Sequence, residues 1–308
     1  MNTQRLNING QAVDITHPDK LLFPADGITK AEFIHYYRQI APRMLPYLRE
    51  RPLAMERYQD GIGARGFFQQ NLPDYAPAWL DSVTVPKEGG VVRHLVCNSA
   101  AALVYLANQD CITPHVWLSR RPHLDKPDQM IFDLDPPADD FAVVREGARR
   151  LGSLLDEIGL KAFLKSTGSR GLHVIIPLRP AEDFESVRAL AAGIAELLVK
   201  RAPERFTTEP RIESRGGRLF LDTLRNSTAH LAVAPYAVRA RPGAPVAVPI
   251  SWQELDDRDF TARSYNLHNI FQRLQSGPDP WREFCRSRQS LALPRRRVES
   301  LAAATAGR

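Results

Sequence analysis

Cysteine is scarce in this 308-residue chain: there are three, Cys97, Cys111 and Cys285, and no two stand at C-x-x-C spacing. Neither a disulfide framework nor a cysteine-bound zinc site is suggested. No apolar run approaches the length of a bilayer span and no secretory leader opens the chain, so a cytoplasmic protein with no membrane role is expected. The G-x-x-x-x-G-K-[ST] phosphate loop is missing, and no internal repeat is visible, which sets aside P-loop enzymes and solenoid arrays.

The composition is that of an ordinary globular protein, 44% apolar and 25% charged, long enough for one large domain or two smaller ones. Net charge is +6, carried mostly by arginine. That balance favours a polyanionic partner, since guanidinium groups take phosphate in a two-pronged grip and release counterions on binding.

The most informative stretch is Met130-Ile131-Phe132-Asp133-Leu134-Asp135-Pro136-Pro137. On an extended strand, residues two apart share a face, so Asp133 and Asp135 stand about 6–7 Å apart. Two neighbouring carboxylates ionise together comfortably only with a cation between them. A divalent metal explains the pattern, and a solvated strand end is the plainer alternative.

The remaining elements follow in chain order. Asn7 to Val13 reads as a hairpin around Asn9-Gly10. Thr29 with Glu32 forms a capping box, predicting a helix that carries Phe33, Ile34, Tyr37 and Ile40 inward. Lys20 and Lys30 flank its N-terminus, where free amides and two ammonium groups suit an anion; two solvated lysines are the alternative. Arg51–Tyr58 reads as a strand, followed by a glycine-rich loop with Arg65 and then Phe67-Phe68. One of these rings is suited to stacking on a base, although two core phenylalanines in a two-sided sheet are the more common explanation. Leu80–Val96 reads as strand, turn and strand, and Ser99–Asn108 as an apolar helix. His115 precedes Trp117.

Beyond the aspartates, Phe141–Ile158 has helical periodicity and Gly159 closes it. Two strands, Ala162–Lys165 and Leu172–Pro177, flank Ser166-Thr167-Gly168-Ser169-Arg170-Gly171, a loop of hydroxyls, glycines and a guanidinium that suits an oxyanion. A helix spans about Phe184–Lys200. Another apolar strand, from Leu219, ends in Asp222. Alternation over Ala234–Gly243 predicts a strand placing Arg239 and Arg241 on one face. A basic tail, helical or frayed, begins near Pro294. The whole is an α/β (α+β) chain with Asp133, Asp135 and Asp222 at strand ends, the parts required for metal-assisted chemistry on a phosphate ester.

The ordered set His17-Pro18-Asp19-Lys20-Leu21-Leu22-Phe23-Pro24, Phe67-Phe68-Gln69, His115-x-Trp117, Phe132-Asp133-Leu134-Asp135-Pro136, Ser166-Thr167-Gly168-Ser169-Arg170-Gly171-Leu172-His173, Leu221-Asp222-Thr223-Leu224-Arg225-Asn226 and Ala234-Pro235-Tyr236-Ala237-Val238-Arg239 resembles the polymerase module of bacterial multifunctional DNA ligase D, of the archaeo-eukaryotic primase superfamily. The resemblance covers about residues 5–290. It implies a primase-polymerase fold, with a central, mostly antiparallel sheet between helices and a smaller N-terminal subdomain. The catalytic module would span 1–290, with DNA-end and template contacts in about 1–115, a catalytic core in about 116–290, and a basic tail over 291–308.

The same resemblance implies a DNA-dependent nucleotidyltransferase. It would add ribo- or deoxyribonucleotides to primer 3′-hydroxyls at gaps and double-strand breaks during non-homologous end joining. Asp133, Asp135 and Asp222 would hold two Mn2+ (or Mg2+) ions. His115, Thr167, Ser169, Arg170, His173 and Arg239 would contact the incoming nucleoside triphosphate. Lys20 and Lys30 would take a downstream 5′-phosphate, Phe67 and Phe68 would meet the template, and Arg57 and Arg215 would line the DNA site. Thr167 and Arg170 stand where some relatives have Ser and Lys. The implied partners are gapped or broken DNA, the end-binding protein Ku, and ligase and nuclease modules, with the protein at the nucleoid. A non-catalytic DNA-end binding module and a metal-dependent nuclease or phosphohydrolase are the alternatives.

Overall fold

The computed structural model describes residues 3–306. The chain divides into two compact units. The first runs to Pro122 and also takes Leu231–Ala247 and Tyr265–Phe271; the second holds His123–His230, Val248–Ser264 and the chain from Gln272 onward. The break therefore falls at Pro122 rather than near 115, because residue 115 lies inside the strand Cys111–Trp117.

In the first unit, Thr3–Ile8 and Gln11–Thr16 form the expected hairpin, with Asn9 and Gly10 both at positive φ, as its two-residue turn requires. Thr29 and Glu32 cap each other at the start of helix Lys30–Leu48. Phe33, Ile34, Tyr37 and Ile40 are all buried, as their spacing predicts. A six-stranded sheet runs in the order Leu231–Val233, Cys111–Trp117, Pro52–Arg57, Gly90–Val96, Ser82–Lys87, with Phe67–Gln69 also pairing with Pro52–Arg57. Every pairing in it is antiparallel.

Residues Ala234–Gly243 do not form the expected strand. They make an irregular strap with an isolated bridge, Val238 to Val246. Pro235 and Pro242 cannot donate to a ladder, and Tyr236, Gly243 and Ala244 adopt positive φ, which breaks extended pairing. The Tyr37 hydroxyl accepts from the Val238 amide at 3.2 Å and Thr113 donates to the Val238 carbonyl at 2.9 Å, so the strap is held at a fixed place.

The second unit is built on a sheet in the order Phe206–Thr207, Leu219–Asp222, Gln129–Asp135, Leu172–Pro177, Phe163–Ser166, Pro249–Ile250. Only the first pair is parallel. Helix Phe141–Ile158 packs on one face: its Gly147 lies so close to Leu219 that an added Cβ would come within 2.2 Å of that side chain. Leu134 and Leu221 are register partners on the same face, so alternation sends Asp133, Asp135 and Asp222 to the other. Asn226 is fully buried; its amide accepts from the Ile131 N–H at 2.8 Å and donates to the Ile131 carbonyl at 2.7 Å. It thereby continues the ladder where the neighbouring strand has ended.

The basic tail from Pro294, expected to be helical or frayed, is helical, within Ala292–Ala306, with Leu291 and Val298 buried. Among the described residues no helix is long and apolar enough to cross a membrane.

Candidate active site

Asp133 pairs directly with Asp222 on one side and with His173 on the other, and His173 pairs with Lys165. Directly opposed residues project from the same face. Lys165, His173, Asp133 and Asp222 therefore form one row across four strands, with Asp135 two residues along. Period-two alternation anticipated the aspartate pair; Lys165 was not anticipated, and its trace in the sequence is a cation inside the apolar run Phe163–Ser166.

Four cationic or imidazole groups surround the acids. Arg225 reaches Asp133 at 3.3 Å and His173 Nε2 reaches it at 3.5 Å. Arg215 and Arg170 reach Asp135 at 3.2 and 3.5 Å. Burial pushes the Asp133 carboxyl up, but His173 and Arg225 outweigh it and hold the group well below the usual carboxylate range. Burial, assisted by Lys165, pulls the His173 imidazole down to about 4 against the attraction of Asp133. At neutral pH the imidazole is therefore uncharged and acts on Asp133 through its hydrogen bond, with Arg225 as the neighbouring cation. Asp222 is raised, first by burial and then by the charges of Asp133 and Asp135, against an opposing Leu224 N–H bond.

These features bear on whether the acids suit a metal. Three carboxylates on one face, two of them register partners, with arginines drawn onto them, form an all-oxygen donor set matching Mg2+ or Mn2+ rather than zinc. Nδ1 of His173 is buried without a hydrogen-bond partner, a further polar atom ready for a ligand. Among the described residues no three His, Cys, Asp or Glu side chains are gathered as a finished coordination shell; Asp133 and Asp135 are turned to arginine and Asp222 to the Leu224 amide.

The Ser166–Gly171 loop lies at the end of this row. Gly171 approaches the central strand so closely that a Cβ would sit 2.1 Å from the Leu134 carbonyl oxygen. Thr167 is buried. Its hydroxyl donates to the Gly171 carbonyl at 3.0 Å and accepts from the Ser169 and Gly171 amides at 3.3 Å each. Thr167 thus builds the loop from within, and two amides expected to face an anion are engaged. Arg170 and Ser169 remain at the surface. Arg263, which sequence reasoning did not single out, donates to the Ser169 carbonyl at 2.6 Å and pairs with Asp139 at 3.3 Å.

Arg215 is buried against the Phe220 ring at 4.1 Å and bonded to Asp135, so in the second unit it belongs to the acid cluster.

His115 and Arg239 belong to the first unit. His115 lies 3.1 Å from Glu56, which also accepts from the Tyr58 hydroxyl at 2.9 Å. Burial raises Glu56, but His115, Tyr58 and Arg239 together bring it below its ordinary value. Burial and Glu56 push the Tyr58 hydroxyl up to about 12. Glu56 and Tyr58 were missed by sequence reasoning; an acid within the strand Pro52–Arg57 is the signal available. Phe67 and Phe68 are both exposed, at 42% and 57%, which excludes the core alternative for the pair. Phe68 lies 5.1 Å from the His115 ring. Arg57 is buried, bonded to the Gln109 carbonyl and to Gln69, and lies under Phe67 at 5.5 Å; it supports the aromatic strand.

Lys20 and Lys30 do converge, on Asp110, at 2.6 and 3.2 Å. Lys30 is only 2% exposed. Its pKa is lowered by burial, with Lys20 and Arg57 adding to the effect against Asp110. The helix amides do not add the expected free donors: those of Lys30, Ala31 and Glu32 bond to Lys20, Pro18 and Thr29. An anion here would meet ammonium groups.

The model of the LigD primase-polymerase domain family matches residues 29–281. The Pseudomonas aeruginosa multifunctional non-homologous end joining protein LigD is 36% identical over 92% of this chain and 34% of its own length. Its bifunctional counterpart in Bacillus subtilis is 33% identical over 90% of this chain and 45% of its own. The chain thus spans between a third and a half of these relatives. The polymerase domain of Mycobacterium tuberculosis ligase D, solved with DNA, superposes with a TM-score of 0.84 at 31% identity, covering 90% of this chain and 99% of that one. The chain belongs to the LigD primase-polymerase domain family.

Proposed function

We propose that this chain adds ribo- or deoxyribonucleotides to primer 3′-hydroxyl ends at gaps and double-strand breaks, as part of non-homologous end joining. The single observation that carries this reading is the row of acids on one sheet face, Asp133 and Asp222 opposed with Asp135 beside them, next to a loop that presents Arg170 and Ser169.

Asp133, Asp135 and Asp222 would hold two divalent ions, Mn2+ or Mg2+. When bound, such ions lower the pKa of a hydroxyl and neutralise charge on transferring phosphoryl oxygens. Arg170, beside Asp135, would take charge on the leaving pyrophosphate, and Arg239 would supply a second guanidinium. His173 would offer its unpartnered Nδ1 to the nucleotide, with Ser169 as a further hydroxyl. Thr167 would act by shaping the loop. His115, fixed by Glu56, would meet the sugar or phosphates. Phe67 and Phe68 would stack on the template, supported by Arg57. Lys20 and Lys30 would grip a downstream 5′-phosphate; with Asp110 between them their combined charge is +1, enough to prefer a phosphate to a hydroxyl. Arg215 would steady Asp135. Ku and the ligase and nuclease activities of the longer relatives would be the working partners.

The test is extension of a labelled primer on gapped DNA, with and without a downstream 5′-phosphate, with ribo- or deoxyribonucleotides and either metal. Addition stimulated by the phosphate is the expected result. Tight binding with no extension under any metal, or a shortened primer, would overturn it.

A further inference from the structure

The segment Arg282–Arg297 carries six arginines against one glutamate, Glu283, a net +5 in sixteen residues of a chain whose total is +6. Several other arginines on the surface of the second unit are neutralised in place, Arg149 by Asp256, Arg201 by Glu157 and Arg205 by Glu146, and within the segment itself Arg295 pairs with Glu182. Arg282, Arg286 and Arg288 are exposed, and among the described residues no carboxylate lies within ion-pair distance of them. Clustered like charges repel and cost stability, so they persist where the scaffold holds them. Here it does. Trp281 and Phe284 stack at 4.3 Å and pack on Phe163, Trp281 donates to the Leu164 carbonyl at 2.8 Å, and the Gln289 amide bonds to Pro177.

Pro177 pairs with Gln129, four residues before Asp133 on the central strand. Arg288, next to Gln289, is therefore anchored roughly 14 Å from the acids along the sheet, too far to serve a triphosphate and about four nucleotide steps along a duplex. Among the described residues of this segment, Leu293 is the one large apolar side chain exposed. A protein interface is organised around an apolar centre, whereas a phosphate backbone requires only cations at intervals.

From this we infer that Arg282, Arg286 and Arg288 form a second DNA contact, gripping the phosphate backbone of duplex away from the reacting end. The inference rests on the DNA-directed reading above. It adds a non-sequence-specific hold that keeps an end engaged between additions.

Cys285 lies among these arginines and is exposed, while Cys97 and Cys111 are buried, so the native thiol can carry a photocrosslinker. With gapped duplex bearing about 30 base pairs, the expected results are crosslinks from Cys285 to the duplex arm and, for the Arg282→Gln, Arg286→Gln, Arg288→Gln variant, about tenfold weaker binding. The slope of log affinity against log salt should fall by about 0.9 for each phosphate that an arginine no longer neutralises. Nucleotide addition at saturating DNA should be unchanged. Unaltered affinity and salt slope in a variant that still extends primers would overturn the inference, as would crosslinking confined to an added acidic protein. Failure of the wild type to extend primers while binding duplex would strike instead at the polymerase reading.

Discussion

Asp133 and Asp222 oppose each other on adjacent antiparallel strands, each kept on the solvent side by apolar neighbours that face the helices. Their electrostatic states differ: Asp133 is held low by His173 and Arg225 against burial, and Asp222 is raised by burial and by Asp133 itself. A divalent cation removes the repulsion that this pairing creates.

Replacing Asp133 or Asp222 with asparagine is therefore expected to lower nucleotide addition by about a thousandfold, the loss of several kcal/mol of charge stabilisation. DNA affinity should stay within a few fold. Gel-shift and single-turnover extension measured together decide the matter; equal losses in both would assign the acids to structure.

The two lysines should separate by burial. Lys20 is 27% exposed and Lys30 only 2%, so Lys20→Ala is expected to abolish preference for a 5′-phosphorylated gap without loss of fold. Extension of an open primer should be retained. Preference surviving in Lys20→Ala would remove the phosphate-pocket assignment.

Lys30 also makes a pH prediction. Burial holds its folded-state pKa below the ordinary 10.5, so wherever both folded and unfolded chains carry the proton the penalty of burying the charge is fully present. As pH rises through the folded value toward 10.5, the folded chain releases its proton first and the penalty is relieved. The stability of the wild type relative to Lys30→Met should therefore increase with pH across that window. A flat or falling difference in denaturant midpoints would falsify this.

Glu56→Gln removes the carboxylate that positions His115. A lost charge-assisted bond corresponds to about a tenfold rise in nucleotide KM, with DNA binding unchanged. If His115 serves only the fold, melting temperature will drop while KM stays put.

At Gly171, alanine would bring a Cβ to 2.1 Å from the Leu134 carbonyl. The loop must then shift or the strand must bend, costing about 2 kcal/mol or more. Thermal unfolding and nucleotide KM should both change, and a fully stable variant with normal KM would show that the close approach is unimportant.

Local chemistry was legible in the sequence. The Asn9-Gly10 turn, the Thr29–Glu32 box, the helix Phe141–Ile158 and the shared face of Asp133 and Asp135 each depend on residues within a few positions of one another. What sequence reading missed depends on which residues the fold sets opposite one another, in hairpin register or across long stretches of chain. Lys165 gains meaning only beside His173, and Asp110 only between Lys20 and Lys30. The strap carrying Arg239 alternates like a strand, yet its prolines and positive-φ residues prevent pairing. Burial of Arg57 and Arg215 is likewise a tertiary fact, and it moves both from surface contacts to supports.

The alternation on the central strand has an evolutionary consequence. Phe132 and Leu134 fix which way Asp133 and Asp135 point, because a one-residue slip would drive both acids into the helix layer and turn their apolar neighbours outward. Selection for a stable core thereby preserves the orientation of the acids without acting on catalysis. Drift among apolar residues on the helix side should then be well tolerated, whereas a single insertion or deletion in Gln129–Asp135 would cost fold and chemistry together.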